Sequence, residues 1–229
     1  MSHKSGHPDC SAASAYALNL LEHDLPLTLR YHTVWHTRDE VVPRVLWLAE
    51  REALPPEDTL MACVGAWYHD VGFVRQQEDH ESVGADIAAE ALAGLGFTDG
   101  QIEIARSIIL ATRLPQSPRT LVEQIVADAD LDVLGRSDFF IRNRALRAEA
   151  VNGGRIPSDE VWYRQQASFM RAHRYFTSTA RLERTAGKQA NLRALEARIE
   201  MARQQDHPAS YSPQSGVKPI RERMTEWTR

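Results

Sequence analysis

Residues 55–72 read PPEDTLMACVGAWYHDVG. Proline opens the stretch and Glu57 and Asp58 follow, the composition of a helix N-terminus. Proline's fixed φ suits the first turn, and the carboxylates face the positive end of the helix dipole. The run LMACVGAW (60–67) is apolar and belongs in a core. At its end stand two strongly polar groups, His69 and Asp70. An ionised carboxylate in such a run is costly to bury unless a cation compensates it. Gly72 is expected to end the helix and let the chain turn away.

Helical periodicity extends outward from this stretch in both directions. Residues 11–24 carry apolar side chains at helical spacing. So does TVWHTRDEVVPRVLWLAEREAL (33–54), through Val34, Val41, Val45, Leu48 and Ala49, with Pro43 inside it predicting a kink or a late helix start. HESVGADIAAEALAGLG ends at Gly94 or Gly96. Asp99 is placed to cap the next helix, and RTLVEQIVADADLDVLG ends at Gly135. Ser137 and Ser158 are placed to cap two more helices, and a further helical pattern covers 186–203. The segment RNRALRAEA (142–150) reads as a solvated helix face. No strand-like alternation and no internal repeat emerge. The expectation is an all-α helical bundle, one domain over 1–203, followed by an extended tail over 204–229 that docks through Trp227.

Bulk properties narrow the function. The chain has 229 residues, is 43% hydrophobic and 25% charged, and carries a net charge of -4. It has no global basic field for nucleic acid. Its two cysteines, Cys10 and Cys63, form no C-x-x-C pair, which fits a reducing cytoplasm. No apolar run is long enough for a membrane span, and Glu222 and Glu226 offset the arginines of the tail.

Four polar positions recur on separate predicted helices: His36, the His69–Asp70 doublet and Asp130. Two imidazoles and two carboxylates suit a borderline or hard divalent ion, with room for water and a phosphate oxygen. Mn, Fe, Co or Mg fit this set better than Cu. The absence of a thiolate argues against closed structural zinc.

In that order on a helical chain, these residues resemble the HD superfamily of metal-dependent phosphohydrolases. The match is closer to a branch that shares a YHT..H start and a DADL..LG segment, here Tyr31–His36 and Asp128–Gly135. FMRAHRYFTST and KQANLRALEARI are similar to that branch as well, so the resemblance spans roughly residues 16–200. It implies an HD-type helical bundle in which His36, His69, Asp70 and Asp130 hold a divalent metal ion. Asp128 is the alternative to Asp130. His32 becomes a supporting or substrate-binding group.

The resemblance also makes His80 and Glu81 candidates for the acid/base step or for an auxiliary metal contact. Arg75, Arg113 and Arg119 are the candidates for phosphate contact. Two departures stand out. ATRLPQSP (111–118) lacks the histidine often found there, which favours one ion over two, and His80 stands where the similar branch often has an asparagine before the glutamate. Phe73 also stands where some HD nucleotidases have a glutamate. The implied substrate is a small phosphorylated molecule, such as a nucleotide or a related phosphomonoester or anhydride. The alternatives are an HD-fold iron oxygenase and a nucleotide-sensing binding module. The resemblance also allows a homodimer.

Overall fold

The computed structural model describes residues 8–154 and 158–206. Among these the chain is all-α, with no strand. The helices are α1 (Cys10–His23), α2 (Val42–Arg51), α3 (Pro56–Tyr68), α4 (His80–Ala93), α5 (Asp99–Ala111), α6 (Leu121–Asp130), α7 (Phe139–Asn152), α8 (Asp159–Ala172) and α9 (Ser178–Asp206). No described helix is long and apolar enough to cross a membrane.

The apolar run of the opening stretch becomes α3, the central helix. It packs against α1, α2, α5 and α6, and Met61, Ala62, Val64, Ala66 and Tyr68 are buried. Gly65 makes the crossing with α5 possible, because a Cβ there would lie 2.3 Å from Cγ2 of Ile108. Leu48, Leu92, Ile108, Ile109 and Ile125 fill the same core. Each contributes on the order of 1.5–3 kcal/mol through removal from water. A second, smaller cluster gathers Leu134, Phe139, Ala167, Met170 and Leu195 from the 3-10 turn over Asp132–Gly135, α7, α8 and α9.

Several boundaries differ from the sequence expectation. α3 ends at Tyr68 with His69 as its C-cap, and a 3-10 turn over Val71–Val74 follows. Gly72 does not release the chain. It permits close approach, since a Cβ on it would fall 1.8 Å from the carbonyl oxygen of His80. The start of α4 is thereby clamped against the end of α3.

Pro43 produces the expected late start by an unexpected route. A π-helical turn over His36–Val41 runs into α2, and the N–H of Val42 donates to Thr37 five residues back. Widening the turn relieves the clash between a proline ring and the carbonyl four residues before it.

Thr98, not Asp99, caps α5, in a reciprocal box with Gln101. Asp138, not Ser137, precedes α7 and makes no side-chain cap. Ser158 caps α8 as read, accepting from the N–H of Val161. α9 begins eight residues before the predicted 186 because Thr177 accepts the N–H of Ala180. It also runs to Asp206, past the expected boundary at 203. The rest of the tail, with Trp227, lies outside the described residues.

Candidate metal centre

His36 opens the π-helical turn, His69 caps α3 and Asp130 ends α6. Three separate elements thus deliver three ligand atoms that lie within 4.8 Å of one another. Oδ1 of Asp130 is 3.3 Å from Nε2 of His36 and 3.7 Å from Nε2 of His69. Oδ2 of Asp70 faces the same point, 3.2 Å from Nε2 of His69 and 3.9 Å from Nε2 of His36.

The far sides of both imidazoles are fixed. Nδ1 of His69 lies 2.7 Å from the carbonyl of Ala66, which can only accept, so Nδ1 carries the proton. Nδ1 of His36 lies 3.1 Å from Glu40, which Arg136 and Arg142 pin at 2.6 and 2.8 Å. With Nδ1 holding its proton outward, each ring on losing its Nε2 proton presents a lone pair inward, the arrangement that ligating histidines need.

Nε2 of His69 and Oδ2 of Asp70 are buried and make no hydrogen bond. An unsatisfied buried polar atom costs about 1–3 kcal/mol. One cation between them removes both costs, so this donor set fits a metal ion. The His36, His69 and Asp130 group can hold one.

Protons take the cation's part in the free chain. Burial pushes the His36 pKa down, but hydrogen bonds to Asp130 and Glu40 outweigh it and lift it to about 9. Burial likewise opposes protonation of His69, and the charge of Asp70 overrides it upward.

The other predicted residues sort into those at the site and those away from it. Nε2 of His80 is 3.5 Å from Oδ1 of Asp70 and 3.6 Å from Oε1 of Glu81. Its ring stacks on Phe73 at 3.9 Å. Burial lowers the His80 pKa, but the hydrogen bond to Asp70 raises it more. His32 stacks on the same Phe73 at 4.6 Å and puts Nδ1 2.6 Å from Glu149.

Arg113 does not line the cavity but bonds Asp79 and Ser82, with Nε 3.8 Å from the cavity-lining Glu81. Arg75 is exposed, 3.8 Å from Glu90, and does not line the cavity at the site. Arg119 is placed by its backbone N–H, which donates to Glu123. Asp128 is fully buried elsewhere, accepting from the N–H groups of Phe176 and Thr177 at 2.8 and 2.7 Å. It ties the start of α9 to α6.

Four residues at the site escaped the sequence reading. Glu149 accepts the N–H groups of Arg30, Tyr31 and His32 at 3.0–3.1 Å. Burial opposes its charge, but His32 and those N–H groups bring its pKa down to about 2. Arg142 and Asn143 line the cavity, so RNRALRAEA is not a solvated face. The spacing 139, 143, 146, 149 marks one side of a helix, and polarity alone hid it. Gln116 stands in the segment lacking histidine, with Nε2 3.0 Å from the carbonyl of Ala127 and 3.5 Å from Asp130.

His32, Asp70, His80, Glu81, Asp130, Arg142 and Asn143 line a cavity of about 350 Å³ whose apolar wall comes from the smaller cluster. Comparison of the chain with protein-family models, curated proteins and solved structures gives no match.

Proposed function

We propose that this protein is a metal-dependent phosphohydrolase of a small phosphorylated substrate, of the HD type. The observation that carries the reading is the convergence of buried Nε2 atoms and carboxylates. His69 Nε2 and Asp70 Oδ2 are buried without hydrogen-bond partners, and Asp70 lines the cavity. In this reading Asp70 joins His36, His69 and Asp130 as the fourth ligand of Mn, Fe, Co or Mg. An ion held there supplies a water of lowered pKa and neutralises charge on a phosphoryl oxygen.

The chain's own residues do the rest. Glu40 and the Ala66 carbonyl keep both imidazoles aimed inward. His80, steadied by Phe73, holds a proton beside Asp70 and delivers it to the leaving oxygen, with Glu81 as its partner. Arg113, beside Glu81, attracts the phosphate. The free thiols of Cys10 and Cys63 suit a cytoplasmic setting.

The test is a phosphate-release screen over nucleotides and sugar phosphates with Mn, Mg, Co or Ni added. Metal-dependent release that disappears in Asp70→Ala supports the proposal. Absence of release across the panel, or turnover that requires iron and oxygen instead, overturns it.

A further inference from the structure

The cavity has a second half that phosphate chemistry does not use. Away from the carboxylates and imidazoles it is walled by Leu134, Phe139, Leu146 and Phe169. Among its lining residues the one arginine or lysine is Arg142, already bound to Glu40 at 2.8 Å. Arg142 also keeps a buried Nε–H without a hydrogen-bond partner, but its charge is already balanced by Glu40, and the apolar walls favour an uncharged body there.

One polar contact nevertheless points to a ligand, and its direction is set by chemistry. Nε1 of Trp162 lies 2.8 Å from Oδ1 of Asn143, and Nδ2 of Asn143 lies 2.7 Å from Oε1 of Gln166. An indole N–H can only donate. The Asn143 oxygen is therefore the acceptor, its NH2 is the donor, and the Gln166 oxygen receives it. The amide orientations, often ambiguous, are settled by this chain. It ends on the NH2 of Gln166, which makes no hydrogen bond to any described residue although Gln166 lines the cavity.

We infer that the apolar half of the cavity takes the compact, uncharged body of a phosphomonoester, and that Gln166 Nε2 recognises a carbonyl oxygen or ring nitrogen on that body. The cavity, at about 350 Å³, stands at the small end of ligand pockets. It favours one or two rings with a single phosphate over a nucleoside triphosphate. Gln166 is half-buried, so a body without an acceptor displaces water from its NH2 without replacing that hydrogen bond and binds more weakly. The phosphate half of this inference rests on the proposed function, whereas recognition of the body needs neither metal nor turnover.

The test separates the two. The full chain without added metal is titrated with umbelliferone, a fused-ring lactone, and with β-naphthol, a fused ring without the carbonyl. The pH keeps both hydroxyls protonated. Umbelliferone is expected to bind about fivefold to tenfold tighter, the worth of one hydrogen bond. The variant is Gln166→Glu, which keeps an acceptor for Asn143 and removes the donor, and its thermal melt reports whether it folds. Loss of the umbelliferone preference in a folded variant supports the inference, whether or not any phosphate ester is hydrolysed. Equal binding of the two probes, binding of neither, or a preference that survives in Gln166→Glu overturns it. Phosphate release from the simple panel decides the proposed function separately.

Discussion

Glu40 shows how the site is held at the scale of single residues. It touches no other member of the ligand group, yet it fixes the His36 ring and is itself fixed by Arg136 and Arg142. Glu40→Gln keeps the size of the side chain and weakens its grip. Metal affinity is expected to fall about tenfold to hundredfold, read by calorimetric titration. Glu149 supports a prediction in pH. Its pKa falls from 4.5 to about 2 on folding, so its stabilisation is complete above 4.5 and is lost as pH drops towards 2. The shift is worth about 3 kcal/mol. Urea denaturation across that acid range should show the loss in the native chain and a flatter profile in Glu149→Gln. Sequence marks residues of this kind unevenly. His69 and Asp70 stand out because charge interrupts an apolar run. Asp128, Asp130 and Asp132 look alike in sequence, and their partners alone separate them: Asp128 accepts from Thr177, Asp132 pairs with Arg184, and Asp130 faces the histidines. Glu149 and Arg142 were invisible because a buried ion pair and a solvated one have the same composition.

At the scale of elements, periodicity reveals helices, whereas close approach leaves no periodic signal. α3, α4 and α6 follow directly from their apolar spacing. The π-helical turn that carries His36 does not, since Pro43 announces a disturbance without saying which kind. The early start of α9 was missed because it depends on Thr177 and on a carboxylate forty-nine residues away. Gly72 was read as a turn, while its role is contact between backbones. A Cβ there meets the His80 carbonyl at 1.8 Å, but one at Gly94 meets nothing closer than 3.5 Å. Gly72→Ala should therefore destabilise the fold by about 3 kcal/mol or more, as forced backbone movement does. Gly94→Ala, placed in ordinary contact, should change stability by less than about 1 kcal/mol. Chemical denaturation of the two variants gives the comparison.

For the whole molecule, the buried site ties three separate elements together, so proton balance and metal binding both act on overall stability. His36 carries a pKa of about 9 in the metal-free fold against 6.5 when unfolded. A raised folded value stabilises fully below 6.5, and that contribution is lost as pH climbs through 9. The metal-free chain should thus lose thermal stability over this window. With a divalent ion bound the same rise should favour the fold, because protons no longer compete for the ligands. Over the described residues the all-α class was legible in the sequence, and so were the side chains that meet at the centre. The cavity wall was not, because it is assembled from α7 and α8, whose contributing residues are far from the histidines in sequence. The central claim is that the converging imidazoles and carboxylates hold a metal ion. Elemental analysis tests it after the purified chain is loaded with Mn, Co or Fe and desalted. The account predicts about one ion per chain, with retention abolished in His69→Ala. A chain that retains no ion with any of these metals, or a His69→Ala variant that retains as much as the native chain, would contradict it.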